Sequence, residues 1–369
     1  MLTAMKIKLK PTKEQEVLFW KSAGVARWAY NYFIAESNKH YDEYLKGNRE
    51  TKTIKESDVR KHINNVLKNT THTWLREVGS NVMKQAVKDA DMARKRWFDG
   101  VADKPRFKSK RHSKISFYVN YESLRRTKEG FQGEKIGMVR TYQALPKLKD
   151  GQKYSNPRIS FDGKSWFLSV GYEKKLEPFE LTGERLGIDV GIKELAVCSD
   201  GETKKNINKT HAVKQIEKKL KREQRKLSRK LEANIKSRDK NQRPIYIKPL
   251  KDMRNIQKQN QIIRNLHKKL NDIRTNHLHQ CSSEIVKTKP SRIVMETLNV
   301  KGMMKNKHLS KAIAGQKLYE FKRQIQYKCQ KYGIEFVEAD KWYPSSKTCS
   351  CCGRIKSDLK LKDRVFICE

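Results

Sequence analysis

The first pattern in the chain is an alternation. Residues 5–10, Met-Lys-Ile-Lys-Leu-Lys, put apolar and basic side chains on opposite faces, which predicts a short strand with one wet face. Pro11-Thr12 follows, with Gln15 three residues after Thr12, the spacing of a capping box at a helix start. Aromatic-rich helical periodicity runs through residues 13–46, with Val17, Leu18, Trp20, Val25, Trp28, Tyr32 and Phe33 as the apolar positions. Residues 56–98 predict two or three more helices, with Trp74, Leu75, Val82 and Met83 as core candidates.

The pattern changes near Gly100. A basic loop, Lys104-Pro-Arg-Phe-Lys-Ser-Lys-Arg111, precedes short alternating runs at Ile115–Tyr118, Arg158–Phe161 and Trp166–Tyr172. Asp162-Gly163 between the last two is a hairpin signal. These runs predict a small β-barrel that the strand at residues 5–10 joins, with the helical block inserted in it.

From residue 183 the periodicity becomes that of an α/β layer. Arg185-Leu-Gly-Ile-Asp-Val-Gly-Ile-Lys-Glu-Leu-Ala-Val197 predicts a buried strand, a tight glycine turn and a second strand. Two strongly basic helices, over 209–235 and 252–287, would form a hairpin joined at Arg243-Pro244. Apolar positions in the first are sparse (Ile216, Leu220, Leu227, Leu231). Ser291–Met295 reads as a buried strand ending at Glu296, residues 310–332 as one amphipathic helix, and Ile334–Val337 as a further strand.

Charge narrows the class of partner. The chain has 369 residues with 83 Lys+Arg against 41 Asp+Glu, a net +42. A fold tolerates that self-repulsion best when a polyanion neutralises it. No apolar run approaches the ~18 residues of a membrane span, and no signal peptide or lipidation motif is present, so a cytoplasmic, nucleoid-associated protein without a membrane partner is expected. The odd count of 7 cysteines favours reduced thiols and a metal site over a disulfide framework.

Three motifs carry chemistry. Gly187-Ile-Asp189-Val-Gly191 places a carboxylate after a buried strand residue beside a glycine, a setting that suits a divalent metal and a closely approaching phosphate, though a strand-end Asp also serves as a simple turn cap. Ile293-Val-Met-Glu296 ends a second strand with an acid. Cys349-Ser-Cys-Cys352-Gly353, followed by Arg364-Val-Phe-Ile-Cys368, is part of a zinc ribbon, with a redox Cys-x-x-Cys as the alternative.

In their order these segments, together with Val294-Met-Glu-Thr-Leu-Asn-Val300 and Pro344-Ser-Ser-Lys-Thr-Cys-Ser350, resemble the TnpB family of insertion-sequence proteins, ancestors of the type V CRISPR effectors, over essentially the whole chain. The resemblance implies an α+β multidomain fold. It comprises a wedge β-barrel (residues 1–10 and 103–182), a helical recognition insert (11–102), a RuvC or ribonuclease-H-like α/β domain (183–343) and an incomplete zinc ribbon (344–369). It also implies a guide RNA, a double-stranded DNA target beside a short flanking motif, Mg²⁺ and Zn²⁺, with a monomer holding one RNA. Asp189 and Glu296 match the family's first two catalytic acids, and Cys349, Cys352 and Cys368 its zinc ligands. Gln85, with Asn81 and Lys84, lies where relatives read the flanking motif, and Arg106, Phe107 and Lys108 lie in the nucleic-acid-binding loop. The matching sequence stops before the family's third acid and fourth zinc cysteine. The expectation is therefore a nuclease-dead, RNA-guided binder that represses transcription by forming an R-loop, with an active RNA-guided endonuclease as the alternative and an unguided nucleic-acid-binding protein as a third reading.

Overall fold

The computed structural model describes residues 2–110, 112–174, 180–340, 347–349 and 352–356. The chain divides into two compact units, Met1–Lys175 and Leu176–Glu369.

In the first unit, β1 (Leu2–Lys10) buries Ile7 and Leu9 and turns its lysines outward, as the alternation requires. Helix α1 (Lys13–Leu45) begins at the capping box: the Thr12 hydroxyl accepts from Gln15 N at 3.2 Å, and Gln15 Oε1 accepts from Thr12 N at 3.1 Å. Gln15 Nε2 also donates to the carbonyls of Ile136 and Met138, at 3.2 and 2.8 Å, so the cap ties the helix start to the sheet. Helices α2 (Glu56–Asn65) and α3 (Ser80–Phe98) complete the helical layer. Val25, Phe33, Leu75, Val82 and Met83 are buried in its core as expected. Val17, Trp20 and Trp74 are not: they remain 55%, 40% and 39% exposed.

The strands that follow are β2 (Ser116–Tyr118), β3 (Arg125–Arg126), β4 (Gly130–Gly133), β5 (Gly137–Thr141), β6 (Ser155–Phe161) and β7 (Trp166–Glu173). They form a seven-stranded sheet in the order β2-β6-β7-β1-β5-β4-β3. β1 holds it together, pairing with β7 through Leu2–Lys8 and with β5 through Leu9 and Lys10. The expected barrel does not close among the described residues, because the edge strands β2 and β3 do not pair. Instead of curling on itself, the sheet buries its aromatic face against α1. The Phe19 ring lies 5.2 Å from Trp166 and 5.8 Å from Phe117. The strands β3–β5 escaped the sequence reading because β3 is two arginines long and glycines interrupt the alternation of β4 and β5. Gly130 is required there, since a Cβ would meet the Val139 carbonyl oxygen at 2.0 Å.

The second unit contains β8 (Arg185–Val190), β9 (Ala196–Cys198), β10 (Thr203–Lys204), α4 (His211–Glu232), β11 (Ile235–Arg238), β12 (Pro244–Tyr246), α5 (Arg254–Lys287), β13 (Arg292–Glu296), α6 (Val300–Met303), α7 (Ser310–Gln316), α8 (Leu318–Tyr332) and β14 (Glu335–Ala339). Its five-stranded sheet has the order β10-β9-β8-β13-β14. β8 runs antiparallel to β9, and β13 runs parallel to both β8 and β14. Leu186, Ile188, Ile293 and Met295 share a core with Leu278 and Ile285 of α5 and Phe321 and Ile325 of α8.

Two expectations fail here. The helix predicted over 310–332 breaks at Lys317, whose φ is +55°. Its Nζ donates to Asn271 Oδ1 at 2.6 Å and Thr275 Oγ1 at 2.9 Å on α5, contacts that no periodicity reveals. The α4–α5 joint is a two-stranded ribbon, β11–β12, rather than a simple turn at Arg243-Pro244. The hairpin's apolar stripe also holds a buried Glu223, which Gln259 Nε2 meets at 2.8 Å and Lys226 at 3.0 Å. Such a polar pair inside an apolar seam favours one register.

Thr12→Ala removes a side-chain cap worth about 1 kcal/mol. A denaturant titration followed by tryptophan fluorescence is expected to show a lower midpoint, and an unchanged midpoint would show that the cap does not hold α1.

Candidate nuclease site and nucleic-acid interface

Strand pairing brings Asp189 and Glu296 together. The register matches Ile188 with Met295 on parallel β8 and β13, so the next residues, Asp189 and Glu296, stand side by side. Ile188 and Met295 are buried, and strand alternation therefore turns both acids to the opposite face. Burial, with Asp189 adding like-charge repulsion, pushes the Glu296 carboxyl above the ordinary carboxylate range.

A cleft of about 710 Å³ opens beside Asp189, lined by Lys193, Glu194, Val197, Lys205, Lys209 and Thr210 among others. Its lysines supply positive charge beside the carboxylate, which suits an approaching phosphate. Neither Gly187 nor Gly191 has positive φ, and a Cβ on Gly191 would make ordinary contact with Glu194 O at 3.5 Å. The turn is thus not tight in the sense that its glycines suggested.

A polar clamp holds that turn from below. The buried Gln316 donates through Nε2 to the carbonyls of Gly191 and Glu194, at 3.1 and 3.3 Å. Asn208 Nδ2 donates to Gln316 Oε1 at 3.1 Å, and the buried Asn206 donates to the Ile192 carbonyl at 2.7 Å. Arg274 on α5 completes the set, donating to Asn208 Oδ1 at 2.7 Å and to Glu217 at 2.7 Å. Sequence reading missed these residues because their partners are 14 to 125 positions away. The Asn206-x-Asn208 pair at the foot of a basic helix was the only local signal.

The donor set can be tested against the implied metals. Two carboxylates on one strand face offer hard oxygen ligands of the kind that hold Mg²⁺ together with water and phosphate. Among the described residues no group of three or more His, Cys, Asp or Glu could hold a metal ion. The cysteines expected to hold zinc lie only in part among the described residues. Cys349 is buried and Cys352 exposed. The Cys349 carbonyl accepts from Gly353 N at 3.0 Å, Cys349 N donates to the Arg354 carbonyl at 2.9 Å, and Gly353 takes φ +74°. These two thiols amount to half of a tetrahedral site. Cys368 lies outside the described residues.

The expected nucleic-acid-binding residues are all in the first unit, and Gln85 and Lys108 both neighbour Asp89. Asn81 Nδ2 donates to Glu134 at 3.2 Å, and Gln85 Nε2 to Asp89 at 3.0 Å, so both are engaged within the protein. Lys84 is half-buried on the same helix. Arg106 is exposed, and Phe107 is 57% exposed. Lys108 is pinned by Asn31, whose side chain bonds both its N and its O at 2.7 and 2.8 Å. The Lys108 Nζ lies 3.6 Å from the centroid of the Tyr30 ring, and burial lowers its pKa. Beside it a cavity of about 400 Å³ is lined by Trp20, Arg27, Asp89, Lys110, Lys114 and Arg158. Arg158 grips Asp89 with two bonds, at 2.7 and 2.8 Å.

Three family profiles match this chain. That described as "Probable transposase" (OrfB_IS605) covers residues 167–307, the "Cas12f1-like, TNB domain" residues 319–369, and the "Helix-turn-helix domain" of OrfB_IS605 residues 1–46. The last segment folds here as β1 and the single helix α1, not as a helix-turn-helix. The chain belongs to the TnpB/IS605 family. It is similar to a Streptomyces pristinaespiralis protein named "Putative RNA-guided DNA endonuclease", 27% identical over 99% of this chain and 84% of the relative. "Putative RNA-guided DNA endonuclease InsQ" of Escherichia coli (strain K12) is 27% identical over 100% of this chain and 87% of its own length. A Cas12f1 chain from a cryo-EM complex with sgRNA and target DNA shares the fold, with a TM-score of 0.54 at 15% identity, covering 100% of this chain and 96% of that one. No helix among the described residues is long and apolar enough to cross a membrane.

Because burial first and Asp189 second raise the Glu296 carboxyl in the folded chain, ionising it costs stability that is full above the folded pKa, shrinks as pH falls and vanishes below the unfolded pKa. Asp189→Asn is therefore expected to bring Glu296 back toward the ordinary range in an NMR titration. Without divalent metal it should also raise the melting temperature at neutral pH and leave it unchanged in acid. A neutral-pH loss of stability would contradict this pairing.

Proposed function

We propose that this chain is an RNA-guided DNA endonuclease, in which a bound guide RNA selects a double-stranded DNA target and Asp189 and Glu296 hold Mg²⁺ at the cutting site. One observation carries this reading: two acids forced together on one strand face, beside a cleft edged with lysines. Bound Mg²⁺ would supply charge neutralisation at a scissile phosphate. The protein's own groups orient it: the Gln316 and Asn206 clamp fixes the turn after Asp189, and Lys193, Lys205 and Lys209 attract the nucleic-acid backbone. The names of the relatives and the Cas12f1 fold support guide RNA and duplex DNA as partners.

In this reading residues 1–10 and 103–182 are a wedge, open rather than barrel-like, and 11–102 are its recognition helices. Residues 183–343 are a RuvC-like domain and 344–369 a zinc ribbon that includes Cys349, Cys352 and Cys368. Asn81, Lys84, Gln85, Arg106, Phe107 and Lys108 lie on the flanking-motif side. The expectation of a nuclease-dead repressor rested on the unmatched third acid and fourth zinc cysteine, and nothing in the sheet or the cleft favours it.

The test is the protein purified with its co-purifying RNA, given a matched target and Mg²⁺. Double-strand cleavage is expected, reduced by orders of magnitude in Asp189→Ala with target binding retained. Guided binding by the unmutated protein without any cleavage would overturn the endonuclease and restore the repressor.

A further inference from the structure

The ribbon between α4 and α5 is a built feature that the reading above does not use. β11 and β12 pair antiparallel, with Ser237 opposite Ile245 and Arg238 opposite Pro244. Asp239 Oδ1 closes the turn, accepting from Asn241 N at 2.9 Å and Arg243 N at 2.8 Å, while Gln242 takes φ +59°. A two-stranded ribbon is at best marginal in water unless something packs on it. Yet Ile245 and Ile247 stand 47% and 61% exposed.

The charge is one-sided. From Lys236 to Lys248 there are five Lys/Arg and one acid, and that acid is committed to the turn. Arg238 is anchored to Glu232 at the end of α4, at 2.9 Å. Lys236, Lys240, Arg243 and Lys248 make no ion pair among the described residues. The 22 residues of α4 carry the ribbon about 33 Å from Thr210, which lines the cleft beside Asp189. The buried Glu223–Gln259 pair keeps that lever in register.

We propose that this ribbon lies in the minor groove of the RNA–DNA heteroduplex formed by guide and target, a contact that rests on the guided reading above. A-form duplexes present a wide, shallow minor groove edged by phosphates. Isoleucines can meet the apolar sugar faces there while lysines and Arg243 reach the phosphates on both rims. Such a contact reads shape and backbone, as guided recognition requires, since base pairing already reads the sequence. A second copy of the chain would instead bring the four unpaired cations against their own kind.

The full chain is titrated with a preformed RNA–DNA heteroduplex and with a DNA duplex of the same sequence, at several salt concentrations. The unmodified protein is expected to prefer the heteroduplex. The combined variant Lys236→Gln, Arg243→Gln, Lys248→Gln should lose roughly tenfold or more on the heteroduplex, and its salt slope should fall by about two to three. Ile245→Ser with Ile247→Ser should weaken heteroduplex binding with little change in slope. An unchanged melting temperature confirms that each variant folds. Equal losses on the DNA duplex, no loss at all, or a dimer that the isoleucine variant dissociates would each overturn the proposal. If guided cleavage and guided binding fail while the ribbon-dependent heteroduplex preference persists, the functional reading falls and the contact stands.

Discussion

Asp189 and Glu296 are held near each other by backbone pairing, not by attraction. β8 and β13 share a ladder whose buried face, Ile188 and Met295 among its residues, is far more costly to expose than two like charges are to approach. The sheet can therefore maintain an arrangement that is unfavourable by itself, and the Glu296 carboxyl is raised by burial first and by Asp189 second. A bound cation relieves that repulsion. The same logic applies to the chain as a whole: +42 of net charge is tolerable when a polyanion offsets it.

Around the acids a set of side-chain hydrogen bonds ties the scaffold together. Gln316 ends α7 just before the left-handed Lys317, so one backbone break aims an amide at the carbonyls of the Asp189 turn and a lysine at α5. Arg274 and Asn208 connect that amide to α4 and α5. The basic hairpin and the Asp189 turn thus share one hydrogen-bonded frame. In the first unit, Gln15 plays a comparable part by tying a helix cap to β5.

What the sequence made legible follows from local physics. The capping box at Thr12, the alternation of β1, and the two acids after buried strand residues are set by neighbours a few positions apart. The chain's membership of the TnpB/IS605 family was legible for the same reason, because motif order survives where overall identity is low. What stayed hidden depends on distant partners. The sheet's open order and the packing of Phe19 on Trp166 both join residues far apart in the chain. The break at Lys317 and the Gln316 clamp depend on groups over forty residues away. The ribbon was missed because its strands are short and a charged turn separates them, although Ile245-Tyr-Ile247 alternates as a strand should. Asn81 and Gln85 sit on the expected helix; Glu134, 53 positions away, engages Asn81 beyond the reach of any spacing rule, whereas Gln85 meets Asp89 at the i,i+4 spacing that a helix offers.

The most direct measurement of whether this charge serves guided recognition is an exchange of guides. The RNA that co-purifies with the chain is sequenced, its guide segment is replaced with an unrelated one, and DNA occupancy is mapped with Asp189→Ala so that binding is read without cutting. Occupancy should move to sites complementary to the new segment and leave the old ones. Occupancy that ignores the exchange, or the absence of any discrete RNA, would contradict a guided protein and leave an unguided nucleic-acid binder.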